Sequence, residues 1–211
     1  MSVLEDRAKP FVLPLVRGQS VTLTDKHQLY VAEWITLVAM VGEYFTPKGI
    51  ILPQEIRTAF MRNQKPSEAF RIWIGDYVGT DRPFSVRKQR LAIRRKPGPN
   101  AHRSLATVFD KRVGGIDGPN FVTLTFSVGP LYAHFFAGLL PEWVDLYSLT
   151  LKDGPLQRLW PPRRGWFGTK GLRWPPKEKL EEEAAQTLKS WLNQFMGAES
   201  QNYRHNYTFQ V

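Results

Sequence analysis

The chain contains no cysteine. That absence excludes a disulfide framework, a thiolate zinc site and a cysteine nucleophile together. It agrees with a reducing compartment, and a cytoplasmic location is the expectation. Histidine is scarce as well: His27, His102, His134 and His205 form no HxH or HxxxH pair. No GxxxxGK[ST] loop, no GxGxxG after a strand and no GxSxG elbow occurs. The glycines of "GGIDGPN" read as a turn. No catalytic residue, metal or cofactor is therefore expected. Long apolar runs are missing too. The nearest, "LYVAEWITLVAMV" at 29–41, is shorter than the roughly 20 residues a bilayer requires and contains Glu33. No membrane partner is expected, and Glu5 and Asp6 stand where a signal peptide would be basic.

What the chain does have is aromatic bulk and localised charge. With 211 residues, 42% hydrophobic content and seven Trp, it has material for the core of a single domain. The formal charge is +10. Between Arg82 and Arg112 there are ten Lys/Arg against Asp110 alone, a net +9. Nearly the whole excess thus sits in one stretch, and acidic partners are implied there.

Residues 1–65 read as helical. Ser2 and Glu5 form a capping-box pattern, followed by Leu4, Ala8, Phe11, Val12 and Leu15 at helical spacing. Pro10 and Pro14 should kink this helix or split it. Gly18 is a stop, and "RGQSVTLTD" a short connection to a second helix, capped by Thr24 or Asp25 and running to about Tyr44. A third helix starts with Pro53 at its first position and ends near Asn63.

From 68 to 157 the texture is that of antiparallel strands. "FRIWIGDYVG", "FSVRKQRLAIR", "SLATVF", "FVTLTFS", the stretch after Gly129-Pro130 and "DLYSLTLKDG" are the candidates. Residues 158–176, with Pro and Trp throughout, read as irregular. Residues 177–197 read as an amphipathic helix with Glu178, Glu181, Glu182 and Glu183 near its start, and Leu180 and Ala184 opening its buried stripe. The expected fold is α+β: a helical N-terminal region, a central antiparallel sheet and a C-terminal helix in one domain.

Two segments combine cations with chemistry suited to nucleic acid. "RKQRLAIRRKPGPNAHR" reads as a strand-turn-strand unit. Arg87, Lys88, Arg90, Arg94, Arg95, Lys96 and Arg103 would line one side of it and contact phosphates. Residues 157–179 interleave seven cations with Trp160, Trp166, Phe167 and Trp174, rings suited to stacking on bases. The bland readings are a charged edge strand that resists sheet pairing and tryptophans that close the end of a core.

The N-terminal text, "MSVLEDRAKPFVLPLVRGQ" and then "QLYVAEWITLVAMVGEY", resembles a family of bacterial and phage HNH-endonuclease-like proteins. The matching residues are Met1, Ser2, Leu4, Glu5, Ala8, Lys9 and Pro10, then Val31, Ala32, Trp34, Ala39, Met40 and Glu43. Trp160-Pro161 and Trp174-Pro175-Pro176 echo a later pattern. The resemblance is strongest over residues 1–45. In that family a cysteine-rich zinc finger precedes this segment, so the resemblance implies that the metal and any catalytic histidine belong upstream of Met1. Met1 is then either the start of a finger-less variant or an internal methionine. A Lys-Thr pair of the family is Leu37-Val38 here, and no catalytic residue carries over.

The expected function is a nucleic-acid-binding, catalytically incomplete domain, with DNA favoured over RNA. The alternatives are an inhibitor-like protein-interaction module that meets an acidic surface, and a metal-dependent nuclease with ligands among Asp76, Asp117 and Asp145. The oligomeric state is not readable from the sequence.

Overall fold

The computed structural model describes residues 3–45, 52–79, 85–91, 121–138, 154–162 and 171–187. Helix α1 (Val3–Val16) contains both Pro10 and Pro14. The expected split is not seen: one helix spans the two prolines. Each proline deletes a bond to a carbonyl four residues earlier. Pro10 is exposed and Pro14 half-buried, so the loss falls on the side of the helix where water substitutes. Leu4, Ala8, Val12 and Leu15 are buried as the spacing requires. Gly18 ends the helix at φ 67°. Gly18 N–H donates to Leu15 O at 3.2 Å and Gln19 N–H to Pro14 O at 2.8 Å, the paired bonds of a Schellman stop. Ser2 of the expected capping box lies outside the described residues.

The short connection that follows is partly a strand, β1 (Val21–Leu23). Thr24 caps α2 (Asp25–Gly42), which ends in a 3-10 turn, Glu43–Phe45. Helix α3 covers Gln54–Asn63, with Pro53 as its N-cap rather than its first residue. Two ion pairs tie these helices, and in each the carboxylate is buried. Arg7 of α1 meets Glu33 of α2 at 2.6 Å. Arg57 of α3 pairs with Glu43 and also donates to Leu52 O at 3.1 Å and Met40 O at 3.3 Å. Satisfying several donors at once is the condition under which burying a guanidinium is tolerable.

The strands are β2 (Phe70–Asp76), β3 (Ser85–Leu91), β4 (Phe121–Val128), β5 (Leu131–Gly138), β6 (Gln157–Trp160) and β7 (Leu172–Trp174). The first five form an antiparallel sheet in the order β3-β4-β5-β2-β6, and β7 pairs with β1. A two-residue turn, Gly129-Pro130, joins β4 to β5. Gly129 adopts φ 54°, and a glycine at positive φ followed by proline suits a type II′ hairpin. Phe70, Ile72, Ile74, Leu124, Phe126 and Phe135 share a core with residues of α1 and α2. Each large apolar side chain so buried contributes about 1.5–3 kcal/mol.

The fold is α+β, with helices at the N-terminal end and an antiparallel sheet in the middle. Two boundaries differ from the sequence reading. Residues 158–176 are not wholly irregular, since they hold most of β6 and all of β7. Their partners are β2 and β1, far away in sequence. The C-terminal helix starts later than 177: Leu180 forms a parallel bridge with Tyr77, and helical structure covers 182–187. Leu180 is buried as expected, but Ala184 is exposed. The expected strands "SLATVF" and most of "DLYSLTLKDG" lie outside the described residues.

Candidate nucleic-acid interface

The basic stretch begins on β3, which stands at the end of the five-stranded sheet among the described strands. Its register with β4 assigns each cation a position. Arg87 is opposite Thr125, Lys88 opposite Leu124 and Arg90 opposite Val122. Arg94, Arg95, Lys96 and Arg103 lie outside the described residues.

Arg87 heads a row that crosses the whole sheet: Arg87, Thr125, His134, Trp73 and Arg158 are successive partners. Thr125 Oγ1 and His134 Nδ1 are 2.7 Å apart, and the Trp73 ring centroid is 5.8 Å from that of His134. His134 is fully buried, and Trp73 is 1% exposed. Burial alone pushes the imidazole down to about 3, so the ring is neutral at physiological pH. This row was not anticipated. The alternate threonines in "FVTLTFS" are its trace in the sequence, but only the register brings them to His134.

The four proposed stacking rings fare differently. Trp160, on β6, is corrected to a core residue: it is 6% exposed and its indole N–H donates to Ser67 O at 3.0 Å. Trp166 and Phe167 lie outside the described residues. Trp174 is on β7, 2% exposed and part of the core cluster. The expectation that it stacks on a base is corrected: pairing of β7 with β1 turns the ring inward. Its indole N–H is buried and has no hydrogen-bond partner among the described residues.

Of the carboxylates considered as metal ligands, Asp76 ends β2 and is 7% exposed. Asp117 and Asp145 lie outside the described residues. Among the described residues no three His, Asp or Glu side chains converge on one point. No helix among them is long and apolar enough to cross a membrane. Compared with family models, with curated proteins and with solved structures, the chain matches none.

Proposed function

We propose that this chain is a nucleic-acid-binding domain without a complete catalytic centre of its own. It grips the phosphate backbone through the basic stretch that opens on β3, with DNA as the favoured partner. The observation that carries the reading is the concentration of charge. A net +9 of the chain's +10 lies in residues 82–112, and the first part of that stretch is a strand at the end of the described sheet order. Arginine forks match phosphate oxygens two at a time and carry little sequence information. Arg87, Lys88 and Arg90 supply the strand's part of the contact, and Arg94, Arg95, Lys96 and Arg103 extend it along the chain. The resemblance of residues 1–45 to HNH-endonuclease-like proteins accords with a role on nucleic acid.

The test is charge reversal. Arg94→Glu with Arg95→Glu is expected to abolish binding to a DNA duplex at low salt while leaving the fold intact by circular dichroism. Unchanged binding would remove these residues from the interface.

One observation favours a second reading. The cation-rich β3 stands at the end of the described strand order, where charge also protects a sheet end from unwanted pairing. In that case the basic stretch meets an acidic protein surface. Competition decides: DNA that displaces such a partner shares its face, whereas indifference assigns the partner elsewhere.

A further inference from the structure

Helix α2 carries a capping box of unusual composition. Thr24, at φ −64° and ψ 170°, accepts at Oγ1 from the backbone N–H of His27 at 3.4 Å. In return, the Thr24 backbone N–H donates to His27 Nδ1 at 3.4 Å. The returning acceptor in this motif is ordinarily Glu or Gln. Either keeps its acceptor oxygen throughout the neutral range. An imidazole does not.

We propose that this cap is a pH-sensitive device, in which His27 releases the Thr24 amide when it takes up a proton and is then held by Phe11. Because Nδ1 accepts, the ring's single proton belongs on Nε2. A second proton can only enter at Nδ1, where it turns the acceptor into a donor facing another donor. The same event places a positive charge at the positive end of an 18-residue helix, which the macrodipole opposes. The ring has an alternative partner at hand. Phe11 of α1 stacks on it with centroids 4.0 Å apart and planes at 21°, and a cationic imidazole is attracted to such a face.

Charged groups of both helices stand nearby. On α2, Asp25 and Lys26 flank His27 in sequence, and Lys26 Nζ lies 5.8 Å from the Tyr30 ring centroid. From α1, Phe11 reaches the same Tyr30 at 6.0 Å, and the Arg7 guanidinium stands 5.0 Å from that centroid. Glu33 is engaged by Arg7. The consequence is not confined to the cap. Thr24 directly follows β1, and β1 is paired through Leu23, Thr22 and Val21 with β7. Uncapping loosens the junction that orders this ribbon.

Amide exchange at Thr24, corrected for its intrinsic rate, reads the device directly at about pH 8 and about pH 5.5. Protection is expected to fall about fivefold in the native chain, the equilibrium equivalent of one lost hydrogen bond. It should stay level in His27→Gln, which keeps an acceptor and cannot titrate. Nitrogen-15 spectra of the imidazole supply a second readout, with Nδ1 unprotonated at the higher pH. Equal loss in both proteins, no loss in the native one, or a proton found on Nδ1 at the higher pH would each overturn the proposal.

Discussion

Thr125 Oγ1 lies 2.7 Å from His134 Nδ1 in the middle of the sheet, with the imidazole fully buried. The pair is a neutral polar element beside the buried Trp73 ring. Its neutrality makes the fold sensitive to acid in a defined direction.

Desolvation holds His134 at about 3 when folded, against about 6.5 when unfolded. A folded value below the unfolded one means the unfolded chain binds more protons between the two. Stability from this group is therefore complete above about pH 6.5 and declines toward pH 3, by about 1.4 kcal/mol per pH unit. Urea titrations from pH 7 down to pH 4 should show this slope in the native chain. His134→Gln should be less stable at pH 7 but flatter across that range.

Glu33 has the opposite sign. Burial raises its carboxyl above the ordinary range, and the attraction and hydrogen bond of Arg7 only partly offset this. Folded protein therefore binds the proton more tightly than unfolded, and the group contributes more as pH falls through its raised value. Glu33→Gln is expected to lie within about 1 kcal/mol of the native chain at pH 7, because a buried charge is exchanged for an uncharged isostere. The difference should move against the variant on going to pH 5. Glu33→Ala should cost about 2 kcal/mol or more, since it leaves Arg7 without its partner.

The Arg57–Glu43 pair calls for a cycle of variants. Arg57→Met strands a carboxylate that is 1% exposed, and a loss of about 3–5 kcal/mol is expected. Glu43→Leu added to it should recover part of that loss, because the second change removes the uncompensated charge. Denaturation midpoints of the two singles and the double measure the coupling.

Gly129→Ala tests how the β4–β5 hairpin meets the end of α1. The residue sits at φ 54°, and an added Cβ would collide with the Val16 carbonyl oxygen. Backbone cannot swing aside as a side chain does, so a cost of about 2–3 kcal/mol is expected from the combined strain. A thermal midpoint unchanged from the native chain would contradict this close approach.

The helices were legible in the sequence because their signals are local. Gly18 stops α1, Thr24 caps α2, and Leu4, Ala8, Val12 and Leu15 recur at the helical period. What was not legible depends on distant partners. β7 exists because β1 lies beside it, and β1 is only three residues of unremarkable text. The same pairing buries Trp174, whose proline-flanked position in the sequence resembles an exposed ring. The row through Arg87, Thr125 and His134 joins three strands, and no spacing within one of them announces it. At the proposed interface, the sequence locates the charge, whereas only the sheet order sets β3 beside β4 at the end of the described strands.

The most direct test of the proposed function is the affinity of the full chain for a short DNA duplex, measured by fluorescence anisotropy across a series of salt concentrations. The account predicts a steep linear fall of log affinity with log salt, with a slope of about one per phosphate contact. It also predicts a shallower slope and weaker binding for Arg87→Glu with Arg90→Glu. Absence of binding at low salt, or an affinity indifferent to salt, would contradict it.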